Sequence, residues 1–323
     1  MRRGLSRTGE RGVGKALALP VLLLMVLASR AGYQDPGSYR ISVDVALVVL
    51  HATVTDRHGG AVSNLSERDF AIYEDGVPQS IRLFKNEDIP VTVGLVVDHS
   101  TTMRPKLSDV TTAAMSFVRF SNSQDEMFVV NFNEKVMLGL PGTARFTNSA
   151  TDLERAIVRV PTGGQTALYD AIAKGLEELQ AGTRDKKAMI VVSDGGDNAS
   201  AHTEAQVMKL AQQSSAVIYT VGLFDENDPD RNPGVLNRLA RATGGEAFLP
   251  EQPSEVVGIC ERIARDIRSQ YTIGYVPVSP PRDGAYHAIR VHAGPKGHDR
   301  LSVRTRTGYI AGGGPRSGEK GGK

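Results

Sequence analysis

Val91-Thr92-Val93-Gly94-Leu95-Val96-Val97 runs directly into Asp98-His99-Ser100-Thr101-Thr102, and the reading of the whole chain turns on this junction. A β-rich run that is apolar at almost every position suits a strand buried on both faces of a parallel sheet. Ligand sites in open α/β sheets form beyond the carboxyl ends of such strands. Here the strand delivers one carboxylate and two hydroxyls, spaced D-x-S-x-T, into a loop that opens a helix. Oxygen-only donors at this spacing suit a hard divalent cation, Mg²⁺ first. Asp, Ser and Thr also cap helices. The pentapeptide alone therefore leaves metal ligand and helix cap both open.

Outward from the junction, strands and helices alternate. Strand patterns cover 126–132, 188–192, 217–222 and 247–249, and 135–140 suits an edge hairpin with the first of these. Helical spacing covers 105–121, 151–160, 167–180, 203–215, 235–242 and 254–269. This order predicts an α/β fold over 91–270, a doubly wound and mainly parallel sheet with helices on both faces. On either side the chain turns to short β runs, at 41–54, 70–73 and 81–85 before the α/β region and at 271–276, 286–292 and 301–307 after it. Neither flank, 36–90 or 271–311, is long enough to bury a sound core by itself. The expectation is one small β-sandwich built from both, with the α/β domain inserted between them. The Gly-rich, charged tail at 312–323 suits disorder.

The first residues have another character. Arg2, Arg3, Arg7, Arg11 and Lys15 precede an apolar run of 13 residues, followed by Ser29-Arg30-Ala31. This is the pattern of a secretory signal peptide over 1–31, with an uncleaved anchor as the alternative. The run is short for a membrane span, which needs about 20 apolar residues. The segment carries six basic residues and one acidic, so removing its net +5 takes the chain from +2 to about −3. The basicity belongs to the leader, so nucleic-acid binding is not expected, nor a membrane span once the leader is gone. A single cysteine, Cys260, excludes an internal disulfide, and its apolar neighbours suit a buried helical thiol. The near match to a phosphate-binding loop at 9–16 follows no strand and lacks the final hydroxyl, so it carries no nucleotide reading.

Two further strand ends supply oxygens. Pro161-Thr162-Gly163-Gly164-Gln165-Thr166 precedes a helix, and Ser193-Asp194-Gly195-Gly196 closes the third buried strand. Asp98, Ser100, Thr102, Thr166 and Asp194 together resemble the metal-ion-dependent adhesion site of the von Willebrand factor A domain. That family's pattern is D-x-S-x-S, then Thr, then Asp; Thr102 stands where the family usually has Ser. Gly163 to Ile172 and Val191 to Gly195 resemble family segments as well. The flanks, through Asp69-Phe70, Glu74-Asp75-Gly76 and Arg306-Thr307-Gly308-Tyr309, resemble bacterial von Willebrand factor A-related proteins common in acidobacterial genomes.

The resemblance implies that the hydroxyls contact Mg²⁺ or Mn²⁺ while the two Asp residues act largely through water. An ion so bound stays under-neutralised and attracts an Asp or Glu carboxylate from a protein partner. The expected protein is non-enzymatic, secreted or periplasmic, and adhesive. One alternative keeps the fold as a metal-free scaffold. Another is a metal-dependent hydrolase, but Ser100 stands where a phosphatase of that type needs a second Asp, and neither G-x-S-x-G nor H-E-x-x-H occurs. His99 suits packing or hydrogen bonding, Met103 and Tyr169 suit packing, and the acidic run 225–230 suits a solvated loop that shapes partner choice.

Overall fold

The sandwich strands come first in the chain. A computed structural model describes residues 47–224, 231–279, 284–294 and 301–312; the expected signal peptide, residues 41–46 of the first expected strand, the acidic run 225–230 and the tail from 313 lie outside the described residues. Before the α/β region run β1 (Val48–Thr55), β2 (Phe70–Glu74), β3 (Val77–Gln79) and β4 (Ile81–Lys85). There follow β5 (Val91–Asp98), α1 (Leu107–Phe120), β6 (Glu126–Phe132), β7 (Val136–Leu138), α2 (Ala150–Val158) and α3 (Leu168–Gln180). Next are β8 (Lys186–Ser193), α4 (Glu204–Gln213), β9 (Val217–Gly222), α5 (Pro233–Thr243), β10 (Ala247–Phe248) and α6 (Val256–Ser269). The chain then returns to β11 (Tyr271–Tyr275), β12 (Tyr286–Ala293), β13 (Ser302–Arg304) and β14 (Gly308–Ile310).

The central sheet has the order β10-β9-β8-β5-β6-β7, parallel throughout except for the antiparallel edge strand β7. This is the α/β, doubly wound arrangement the alternating pattern predicts. Every residue of β5 is buried, as expected for a strand covered on both faces. Local signals set the helices. Thr203 and Gln206 form a reciprocal capping box at the start of α4. Asn232 caps α5 with Pro233 in its first turn, and Gly244 ends that helix in the left-handed region at φ 87°.

The flanking strands form two four-stranded antiparallel sheets, β13-β1-β11-β4 and β14-β12-β2-β3. Each sheet draws strands from both sides of the inserted domain. Their shared core alternates in the strand period: Leu50, Ala52 and Val54 face inward from β1, Ile289 and Val291 from β12. The other face of β1 meets the α/β domain, where Gln270 Nε2 donates to Thr53 Oγ1 and to Tyr219 Oη. Arg304 pairs there with Asp266 and, at 3.3 Å, with Glu246. The sandwich thus sits where β8 begins, with His51 and Lys186 lining one cavity, away from the strand ends that carry Asp98 and Asp194. Cys260 is buried in α6.

Candidate metal centre

Asp98 is the last residue of β5 and Asp194 follows the last residue of the adjacent strand β8. Parallel pairing brings the two ends to one edge of the sheet. Asp98 is 0 % exposed and Asp194 2 %. Two carboxylates are therefore buried side by side, a costly arrangement unless hydrogen bonds and an opposite charge compensate.

Hydrogen bonds are plentiful. Asp98 Oδ1 accepts from the Ser100 amide at 2.8 Å, and Oδ2 accepts from Ser193 Oγ at 2.7 Å. Thr102 Oγ1 donates to Asp194 Oδ2 at 2.6 Å and lies 3.1 Å from Ser100 Oγ. Asp194 Oδ1 accepts from the Gly196 amide at 3.0 Å. Four of the five residues singled out in the sequence therefore share one contiguous network. The opposite charge is what the network lacks: among the described residues no Lys, Arg or His pairs with Asp98 or Asp194. Burial pushes the Asp98 carboxyl up to about 6, with the neighbouring Asp194 charge adding to the effect and hydrogen bonds from Ser100 and Ser193 opposing it.

Thr166 arrives by another route. Its loop is laced to the first by hydrogen bonds, from the Gly163 amide to His99 O at 2.8 Å and from the Thr101 hydroxyl to Gly164 O at 3.1 Å. On the other side Asn198 Oδ1 accepts from the Thr166 amide, and Thr166 O accepts from the amides of Asn198 and Ala199. Thr166 is thereby clamped between the loops that carry Ser100 and Asp194, and its hydrogen bonds among the described residues run through its backbone. The double glycine before it has a steric reason. Gly164 stands at φ 84°, and a Cβ there would overlap the Glu134 carboxylate.

The donor set fits a small divalent cation. Each hydroxyl has one proton; Thr102 gives its own to Asp194, leaving lone pairs for a ligand. The 3.1 Å separation of the Ser100 and Thr102 oxygens is close to the edge of about 2.9 Å in an octahedron with metal–oxygen bonds of 2.0–2.1 Å. All candidate donors are oxygens, which suits Mg²⁺ or Mn²⁺ over softer ions.

Sequence reading passed over three supporting residues. In the sequence Ser193 reads only as a strand end, yet it holds Asp98. Asn198 holds the Thr166 loop. Asn131, buried in β6, meets His99 Nε2 at 2.9 Å and donates to Ala156 O at 2.7 Å. An Asn inside the apolar run Met127 to Phe132 was the available signal. His99 is buried against Asn131 and not against Ser100, and Met103 is fully buried.

Residues 93–196 match the family described as von Willebrand factor type A domain. An uncharacterized protein of Synechocystis sp. is 25% identical over 173 residues, which cover 52% of this chain and 40% of that protein. The chain thus spans less than half the length of that relative. Among solved structures, it is similar to a von Willebrand factor type A protein from Catenulispora acidiphila, at TM-score 0.49 and 14% identity over 77% of this chain and 75% of the other. It is also similar to the corresponding domain of the type V pili tip protein Mfa5 from Porphyromonas gingivalis, at TM-score 0.46 and 14% identity over 56% and 95%. Among the described residues, no helix is long and apolar enough to cross a membrane.

Proposed function

We propose, from the match of residues 93–196 to the von Willebrand factor type A domain, that the protein is a cation-dependent docking module rather than an enzyme. Ser100, Thr102 and Thr166 would offer hydroxyl oxygens to Mg²⁺ or Mn²⁺, with Asp98 and Asp194 orienting those hydroxyls and nearby water. A divalent ion so held supplies an under-neutralised centre that accepts an Asp or Glu carboxylate of a partner protein. The observation that carries this reading is the buried Asp98–Asp194 pair, linked through Ser100 and Thr102 with no basic side chain among the described residues to balance it.

Two features support a binding role over hydrolysis. His99 Nε2 is engaged with Asn131, so no imidazole stands on Ser100 as a general base. The carboxylates hold hydroxyl and amide protons, an arrangement suited to presenting a static ligand sphere. The pattern of a secretory leader over residues 1–31 supports a location in the periplasm or outside the cell.

Calorimetric titration with Mg²⁺ and Mn²⁺ tests the site. Wild type is expected to bind one ion, and Asp98→Ala to lose it while circular dichroism still reports the folded sheet. Equal binding by Asp98→Ala sinks the assignment. Capture of partners from the native envelope fraction should then depend on the cation and fail in EDTA. Metal-stimulated turnover of phosphoester or ester substrates would favour the hydrolase instead.

A further inference from the structure

A second cluster of metal-binding side chains lies in the sandwich, on elements that the docking reading does not use. Glu74 ends β2, Asp75 follows in the turn to β3, and His287 stands on the neighbouring strand β12. One ligand atom from each lies within 4.8 Å of the others. His287 Nδ1 is 2.8 Å from Asp75 Oδ2 and 3.8 Å from Glu74 Oε1. These two separations bracket the edge of about 3.3–3.5 Å in a tetrahedron with zinc–ligand bonds of 2.0–2.2 Å.

Each carboxylate is anchored by one oxygen and presents the other. Asp75 Oδ1 accepts from the Ala288 amide at 2.8 Å. Glu74 Oε2 accepts from the Tyr275 hydroxyl, and from the Tyr309 hydroxyl at 3.4 Å. Supporting bonds of this kind orient metal ligands. The Tyr309 ring stacks on His287 at 5.4 Å between centroids and fixes the imidazole plane. Glu74 Oε1 is the atom without such an explanation. Its side chain is only 6% exposed, yet the nearest cationic partner, His287 Nδ1, is beyond hydrogen-bond reach. Glu74 Oε1 thus stands at the edge of the cluster, 3.8 Å from His287 Nδ1, without a hydrogen-bond donor among the described residues. Asp75, half exposed, leaves the cluster open to solvent on one side.

We propose that Glu74, Asp75 and His287 form a binding site for a divalent transition-metal ion, with Zn²⁺ the best match to one imidazole nitrogen and two carboxylate oxygens. Ion binding uses the His287 Nδ1 lone pair, so the imidazole binds with its proton on Nε2 and the 2.8 Å hydrogen bond to Asp75 Oδ2 is exchanged for coordination by both groups. The site ties the β2–β3 turn to β12, and through Tyr275 reaches the opposite sheet. Such a staple answers a specific weakness. The sandwich is small and assembled from two distant chain segments, and the lone cysteine is buried in α6 and cannot cross-link it.

The test is calorimetric titration of the full chain with Zn²⁺ near neutral pH, in wild type and in Asp98→Ala, where the oxygen-only site is disabled. Substitution by Co²⁺ adds a visible spectrum that reports imidazole coordination. Asp98→Ala is expected to retain one Zn²⁺, and His287→Gln and Asp75→Asn to weaken it at least about tenfold. Asp75→Asn is the decisive variant, since it keeps an oxygen for the Ala288 amide and sits at a half-exposed turn. The proposal is overturned if Asp98→Ala shows no Zn²⁺ binding at about 0.1 mM, or if Asp75→Asn binds as tightly as its parent. Failure of the Mg²⁺ site with retention of this one would refute only the docking reading.

Discussion

Thr102 is where the chain departs from the usual adhesion-site pattern, and replacing it by Val and by Ser separates its two contributions. Val keeps the branched shape and removes the hydroxyl, so Asp194 Oδ2 loses its 2.6 Å donor. Hydrogen bonds to charged groups contribute roughly 1.5–3 kcal/mol, and Thr102 is only half-buried, so the lower figure applies. For a body of this size that corresponds to a fall in Tm of about 3–6 °C in EDTA. The effect on the cation should be larger. At a Mg²⁺ concentration a hundred times Kd, binding stabilises the folded state by about 2.7 kcal/mol, or roughly 5–11 °C. Losing a direct ligand is expected to cost about 100-fold in affinity, the upper end of the range for removal of a supporting partner. At the same Mg²⁺ concentration the stabilisation then drops to about 0.4 kcal/mol, roughly 1–2 °C. Thr102→Ser retains the hydroxyl and should keep both shifts. Differential scanning fluorimetry in EDTA and in excess MgCl₂ reads all of these. If Thr102→Val shows the full wild-type Mg²⁺ shift, the hydroxyl is not a ligand.

Acid should weaken the joint between sandwich and α/β domain through His51, which burial and the nearby charges of Lys186 and Arg306 hold down to about 3. The unfolded chain takes up this proton near 6.5 and the folded one resists it, so stability is complete above 6.5 and declines as pH falls toward 3. His51→Gln removes up to about 2 kcal/mol of the loss between pH 7 and pH 5, measured by urea denaturation; an unchanged pH profile would contradict it. Just after α5, Gly245→Ala would drive a Cβ into the Ile218 carbonyl. A loss of about 1–3 kcal/mol is expected with Mg²⁺ binding intact, and a wild-type melting temperature would show that the backbone there yields freely.

Much of this architecture was legible because burial on two faces leaves an unmistakable run. Val91 to Val97 reads as a central strand, and all of β5 is buried. Asp98, next in the chain, then falls at the sheet edge. The shorter strands were less legible. Val77–Gln79 and Gly308–Ile310 are three residues long, too short to show a period, and Pro78 disguises an edge strand as a turn. The three N-terminal runs look like one antiparallel unit, but β1 and β4 join one sheet while β2 joins the other. Strand pattern reports which residues face inward, and it carries no information on which of two facing sheets a strand enters.

The supporting residues of the site were hidden for a related reason. A candidate metal site announces itself by residue type and spacing along the chain, as Asp98, Ser100 and Thr102 do. The residue that holds a ligand in place is chosen by distance across the sheet, where sequence separation means nothing. Ser193 is 95 positions from the Asp98 carboxylate it holds at 2.7 Å. What made that meeting inferable in principle was the register of β5 against β8, Val97 opposite Val192, which sets the next residue of each strand side by side. Once two strands are known to be parallel neighbours, the last polar residue of one should be sought beside the terminal carboxylate of the other. The same step leads from Val97 opposite Asn131 in β6 to the partner of His99. Pairing register, more than motif spacing, turns a list of oxygen-bearing residues into a site.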